Sequence, residues 1–276
     1  MLVNLNNMVK DAMNQNYIIA GFNVFGYEDA RAVIEGAEEK GAPVVLLTHK
    51  AARDYMPIEY TASLFKTMAK KARIPVCLQL EHAKDFSLIE KAINLGYTSV
   101  MYDGSQLPLE ENIENTKKVI QLAHSFDVSV EAEIGSVAYE DIYQDNASIY
   151  TSPEDAEKFV NETKVDALAI AIGTVHRQQK QSAQIQYKRL SEIEKVTNTP
   201  LVLHGSSGIS HEDLNKLSKT NISKVNIGTA LRVAFGNALK EEVLDENHLY
   251  NRKDLFKSPI QAVKETVIQK LSALGF

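Results

Sequence analysis

Seven histidines occur in the 276 residues, and four of them follow short β-branched runs. His49 follows Pro43–Thr48, His82 follows Pro75–Glu81, His176 follows Ala167–Ile172 and His204 follows Pro200–Leu203. His124, His211 and His248 fall in a helical pattern, near a helix start and in a late loop. One histidine at a strand end is ordinarily a hydrogen-bonding residue. Four on one rim can converge: neutral imidazoles suit Zn²⁺, and three protein ligands leave a coordination position open for substrate. The pattern favours His82, His176 and His204 as that triad.

Carboxylates fall at the same ends. Glu81 directly precedes His82, and adjacent residues on a strand point to different sides, so Glu81 need not ligate and is available as an acid/base. Asp103 follows Ser99–Tyr102. Glu131 and Glu133, two apart, share one face of Val128–Ile134, where an enclosed pair needs cations or hydrogen bonds. For Glu131 a structural salt bridge is the competing role. Two glycine-bearing turns, His204-Gly205-Ser206-Ser207-Gly208 and Asn226-Ile227-Gly228-Thr229, have the composition of backbone anion cradles. Imine chemistry needs a lysine near the rim. Ala167–Ile172 contains none, and Lys224 starts its strand, at the far end; Lewis-acid chemistry is therefore expected.

These side chains must be positioned by repeating elements. Besides the runs above, Ile18–Val24 and Ser223–Ile227 read as strands, which makes eight. Their spacing, about 29 residues, is that of a βαβ unit. Amphipathic patterns lie between them: Asp29–Lys40, Glu59–Lys71, Ser87–Asn94, Leu109–Ser125, Pro153–Asn161 and Glu212–Leu217. Eight alternating units predict an α/β fold, a (β/α)8 TIM barrel of parallel strands, with chemistry at the C-terminal strand ends and phosphate at the loops after strands seven and eight. A doubly wound open sheet is the alternative. No linker divides the chain, so residues 1–276 read as a single domain. Its final part adds two helical patterns separated by Asn247–Ser258.

Composition narrows the setting. An apolar content of 44% with 24% charged residues is that of a folded chain, which excludes disorder. A net charge of −6 is unsuited to general nucleic-acid binding. The one cysteine, Cys77, excludes an intramolecular disulfide and a cysteine zinc cage and fits a reducing compartment. No apolar stretch has signal-peptide or membrane-span length, so a cytoplasmic protein without membrane or nucleic-acid partners is expected.

From about Val3 to Gly275 the chain resembles the class II, zinc-dependent ketose-bisphosphate aldolases, which include fructose- and tagatose-bisphosphate aldolases. The resemblance rests on AGFNVFGYEDARAV, IPVCLQLEHA, SVMYDGSQLPLEENIENTKKV, VSVEAEIG, ALAIAIGTVH, PLVLHGSSGI and KVNIGTALR. It implies zinc at His82, His176 and His204, with Asp103 and Glu133 at positions that bind or influence the metal. Asn226 matches an asparagine on the dihydroxyacetone phosphate moiety, and Gly205, Ser207, Gly228 and Thr229 match the phosphate site. A monovalent cation beside that phosphate is compatible with the resemblance. The segment Ser136–Asp145 matches a loop carrying a catalytic carboxylate, here Glu140 or Asp141. Lys257 matches a basic residue that reaches the far phosphate from a neighbouring subunit, which implies a homodimer or homotetramer. Asn23, His49, Arg177 and Ser206 complete the expected substrate-binding set.

The departures cluster on the aldehyde side. Glu81 stands where the family has Asp, Gln79 where it has His, Ala138-Tyr139 where it has a glycine pair, and His49 where it has Ser. The family's His-Gly after strand six reads His176-Arg177. The expected activity is retro-aldol cleavage of a ketose 1-phosphate to dihydroxyacetone phosphate and an aldehyde. Fructose or tagatose 1,6-bisphosphate, or an analogue changed at C6 such as sulfofructose 1-phosphate, is the expected substrate. His49, Arg177 and Lys257 would offer cationic or donor groups to its far end. A non-catalytic sugar-phosphate-binding barrel or accessory subunit is the rival of another class, and a metal-dependent epimerase is a further enzymatic one. A metal amidohydrolase is disfavoured, because strand one ends Phe22-Asn23-Val24 without a His-x-His.

Overall fold

A computed structural model describes residues 1–137, 150–175, 183–244 and 251–276, and one nine-stranded sheet runs through it. The strands are β1 (Leu2–Val3), β2 (Ile19–Asn23), β3 (Val44–Thr48), β4 (Val76–Ala83), β5 (Ser99–Tyr102), β6 (Ser129–Ile134), β7 (Ala167–Ile170), β8 (Leu201–Leu203) and β9 (Ile222–Ile227). Strands β2 to β9 pair in chain order, all parallel, and β9 returns to β2. The sheet is thus a closed (β/α)8 barrel, the architecture the eight β-branched runs predict.

Each strand alternates between two environments. On β6, Val130, Ala132 and Ile134 join the apolar layer beneath the helices, while Ser129, Glu131 and Glu133 point the other way, into the barrel. The outer ring consists of α2 (Tyr27–Lys40), α4 (Ile58–Lys71), α5 (Phe86–Leu95), α6 (Leu109–His124), α7 (Pro153–Thr163), α8 (Tyr187–Glu194), α9 (His211–Leu217), α10 (Thr229–Leu244) and α12 (Lys257–Ala273), with α1, α3 and α11 described below. Helix α12 packs against α2 and buries Val263, Val267 and Leu271. Their close approach needs Gly36, where a Cβ would lie 3.0 Å from Val267 and 3.1 Å from the Lys264 carbonyl.

The sequence patterns did not mark α8 or α3 (Lys50–Tyr55), nor two elements at the N-terminal end of the barrel. Helix α1 (Leu5–Gln15) plugs the N-terminal end of the barrel, with Leu5, Met8, Val9 and Ala12 packed on Ile19, Val45, Leu47 and Cys77. Strand β1 pairs with β4 at Val76 and Cys77, below the point where β5 joins at Gln79. The break expected at Asn247–Ser258 contains a single turn, α11 (Arg252–Leu255), and α12 already starts at Lys257; residues 245–250 lie outside the described set. None of the described helices is long and apolar enough to cross a membrane.

Candidate active site

The C-terminal mouth of the barrel opens into a cavity of about 350 Å³. Asn23, His49, Glu81, His82, Gly205, Ser206, Ser207, Asn226, Gly228 and Thr229 all line it, so most of the expected site meets in one place. Asp103, Glu133 and His204 join it through hydrogen bonds and close contacts beneath. Glu140, Asp141, His176 and Arg177 lie outside the described residues, as does the Ala138-Tyr139 pair. Lys257 stands apart. Within one chain it lines a surface cleft with Arg31, Lys253 and Asp254, away from the mouth.

Strand β4 departs from the sequence expectation in a way that matters chemically. Two adjacent residues on a regular strand face opposite sides, yet Glu81 and His82 both face the cavity. The cause is an irregularity in the β4–β5 register between Leu80 and Ala83, where His82 takes a φ of 45°. A non-glycine residue in the left-handed region costs about 1–3 kcal/mol, and such strain collects at functional sites. The side-chain donors of Glu81, His82 and His204 consequently lie within 4.8 Å of one another, so Glu81 is within reach of any ion held by the two histidines.

The imidazoles are oriented from behind. His82 Nδ1 is 2.9 Å from Asp103 Oδ2, and His204 Nε2 is 2.9 Å from Glu131 Oε1. Their other nitrogens, His82 Nε2 and His204 Nδ1, approach to 3.0 Å. Carboxylate-backed imidazoles with converging inner nitrogens are how proteins hold first-row metals. Glu133 adds a further sign: its Oε2 is buried without a hydrogen-bond partner and lies 3.7 Å from both His82 Nδ1 and His204 Nδ1. A buried, undonated carboxylate oxygen among imidazoles fits a cation at this end of the barrel. Asp103 touches the site through His82, and its other oxygen accepts from Ser105 Oγ at 2.7 Å.

Burial and charge oppose each other throughout this cluster. Burial alone would lower His82, but Asp103, Glu81 and Glu133 outweigh it and raise its pKa to about 9. Burial would raise Asp103, yet the His82 contact holds it below the ordinary carboxylate range. Burial also works against Glu131; the Lys224 ammonium and His204 hold it low nonetheless. Glu133 is pushed up by burial, which the two histidines only partly offset. His49 is pushed down by burial, and Glu81 offsets this only in part. Its ring packs edge-on to Phe25 at 4.9 Å, and its buried Nδ1 has no hydrogen-bond partner among the described residues.

The floor of the site corrects the reading of Lys224. Its Cα is near the start of β9, but the side chain is wholly buried inside the barrel. Nζ donates to Glu131 Oε2 at 2.8 Å and to Asn226 Oδ1 at 2.7 Å. Gln79 also donates to Glu131 Oε2, at 2.9 Å, so Glu131 does make the structural salt bridge. Asn226 in turn donates through Nδ2 to Glu81 Oε1 at 2.7 Å.

The two glycine turns sit side by side, joined by a hydrogen bond from Ser206 Oγ to the Asn226 carbonyl. Gly205 has a φ of 70°, and Gly228 precedes the first turn of α10. Several wall residues were missed from sequence: Lys50 and Asp54 on α3 (Lys50–Tyr55), and Arg232 on α10. Arg232 was the findable one, three residues after Thr229 and so on the same helix face. Arg53 was also missed; its Nη1 bridges the Thr48 and Glu81 carbonyls at 2.9 and 3.0 Å and ties β3 to β4 beside the acid.

The profile of the class II fructose-bisphosphate aldolases matches residues 3–276. This chain belongs to that family. The aldolase is 34% identical over 99% of its length to a fructose-bisphosphate aldolase of Staphylococcus aureus strain Mu50, of which 97% is covered. It is 35% identical to a probable fructose-bisphosphate aldolase of Bacillus subtilis strain 168, covering 99% of this chain and 98% of that one. Among solved structures, the YdjI aldolase of Escherichia coli K12 superposes with a TM-score of 0.88 at 33% identity, over 100% of this chain and 98% of the other. The aldolase is thus a carbon–carbon lyase, and the non-catalytic and epimerase readings give way to family membership.

Proposed function

We propose that this aldolase cleaves a ketose 1-phosphate reversibly, by zinc-dependent retro-aldol chemistry, to dihydroxyacetone phosphate and an aldehyde. The observation that carries the reading is the pair of converging nitrogens on His82 and His204, each ring backed by a carboxylate, with Glu81 alongside. His82 and His204 would hold Zn²⁺, with His176 as third ligand on the strength of the resemblance. A bound Zn²⁺ would supply Lewis-acid polarisation of the ketone and stabilise the negative charge that develops on cleavage.

The chain's own residues do the rest. Glu81, steadied by Asn226, takes the proton of the C4 hydroxyl as the C3–C4 bond breaks, and returns it to the aldehyde oxygen in condensation. A loop carboxylate, Glu140 or Asp141, exchanges the proton at C3 of the dihydroxyacetone phosphate half. Backbone N–H groups of Gly205–Ser207, in the turn after β8, and of Gly228–Thr229, at the start of α10, hold the phosphate, which fixes the reacting carbons against Glu81. Lys50, Asp54, His49 and Arg232 form the wall facing the rest of the sugar.

The test is triose phosphate release from fructose 1,6-bisphosphate with and without a chelator. Loss on chelation and recovery with Zn²⁺ is expected; release that persists in fully metal-free protein would reject the scheme. A second reading, a C6 sulfonate in place of the far phosphate, draws on His49, a cavity-lining imidazole where the family has serine. A higher kcat/KM for 6-deoxy-6-sulfofructose 1-phosphate than for the bisphosphate would favour it, and the reverse would remove it.

A further inference from the structure

Glu81 is held by one side-chain hydrogen bond that the structure shows, from Asn226 Nδ2 at 2.7 Å. A carboxamide is nearly symmetric in shape, and turned over it would present Oδ1, a second acceptor, to the carboxyl of Glu81. Something must decide which end faces Glu81. The group on the other side of Asn226 is Lys224, whose Nζ lies 2.7 Å from Oδ1. An ammonium donates and never accepts, so it faces the amide oxygen and leaves the amide N–H groups for Glu81.

Lys224 is placed for this by register. It lies two residues before Asn226 on β9, so both side chains enter the barrel on one face. It is wholly buried, as is Glu131, which anchors Nζ from the opposite side at 2.8 Å. Glu131 is itself fixed by Gln79 and His204. Resting on the reading of Glu81 as the acid/base, we infer that Lys224 is a positioning residue for cleavage: it sets the Asn226 amide, and through it aims Glu81. A buried Lys–Glu pair with no such task could be exchanged for neutral groups at no catalytic cost.

The double variant Lys224→Met with Glu131→Gln tests this while avoiding a stranded buried charge. The carboxamide introduced by Glu131→Gln still accepts from His204. Gln79, whose Oε1 lacks a partner, can turn its own amide to accept from the new N–H groups. Fructose 1,6-bisphosphate cleavage and zinc content are measured together. The expected result is bound zinc at the wild-type level, an unchanged KM and a kcat lower by roughly 10²-fold, the scale of a small misplacement of a reacting group. In an Asn226→Ala background the same double change should cost nothing further. An undiminished kcat, a loss undiminished in the Asn226→Ala background, or loss of zinc from the double variant would each overturn the inference, the last by assigning the pair to His204. Glu81→Gln in the same assay separates the layers. If Glu81→Gln is fully active, the acid/base reading falls and takes this inference with it. If it is impaired beside an undiminished double variant, the inference falls alone.

Discussion

His82 of β4 and His204, the residue after β8, meet across the mouth of the barrel with Nε2 and Nδ1 3.0 Å apart, although 122 residues separate them in the chain. Neither strand alone brings the two rings together; closure of the sheet does. Replacing either histidine by alanine should remove both bound zinc and cleavage, because each ring supplies one of the two converging nitrogens. Metal analysis beside the cleavage assay checks this, and a His204→Ala enzyme that keeps full zinc and full rate would contradict it.

Glu81→Gln keeps the shape and the contact with Asn226 but removes the proton acceptor. Zinc content should be unchanged, and kcat should fall by about 10²-fold or more, the scale of general acid/base catalysis. A rate within error of wild type would take Glu81 out of the role.

Gly21 offers a packing test beneath the same residues. A Cβ there would lie 2.9 Å from Asn226 Oδ1 and 2.9 Å from Leu47 Cδ1. Gly21→Ala should destabilise by about 1–3 kcal/mol through overpacking and lower kcat by displacing Asn226. Denaturant midpoints and turnover measured on one preparation should move together; a stable variant with full activity would contradict the geometry.

Arg232 lines the cavity one helical turn beyond Gly228 and Thr229. Losing a charged donor to a phosphorylated substrate costs about 1.5–3 kcal/mol, so Arg232→Ala should raise KM roughly tenfold or more with little change in kcat. An unaltered KM would place Arg232 outside substrate binding.

Cys77 supplies a pH test at the other end of the barrel. Burial against α1 pushes its thiol from 9.0 up to about 12. The folded protein therefore keeps a proton that the unfolded chain releases above 9.0. The stability this lends is whole below that value and is lost as pH rises toward about 12. Relative to Cys77→Ala, wild-type stability should fall by up to ~1.4 kcal/mol per pH unit in that window. Parallel stability curves for the two proteins would contradict it. At neutral pH the native thiol should resist alkylation until guanidinium unfolds the chain.

The barrel was legible because its signals recur: eight β-branched runs about 29 residues apart on average, most of them followed by an amphipathic stretch. The N-terminal plug escaped because α1 stands outside that alternation. At the site, residue type and strand-end position pointed to His82, His204 and the glycine turns, and the resemblance added Asn226; these residues meet at one cavity. The orientation of Glu81 was not readable, since it depends on a register irregularity and the left-handed backbone of His82. Lys224 was misjudged for a related reason. The position of a Cα along a strand says little about where a long flexible side chain ends, and its Nζ reaches toward the mouth from the strand's beginning.

Helix α3 is an insertion between β3 and α4, outside the eight-fold plan, and it supplies Lys50 and Asp54 to the cavity wall, while Glu81, His82 and Asn226 below come from strands. The two parts can therefore change at different speeds in evolution. A substitution on a strand disturbs a hydrogen-bonded chain that runs through several neighbours, and so would one at Arg53 of α3, whereas one at Lys50 or Asp54 alters what the cavity wall presents. A library confined to His49, Lys50 and Asp54 is accordingly the shortest route to aldolases that accept new partners while the bond-breaking apparatus stays as it is.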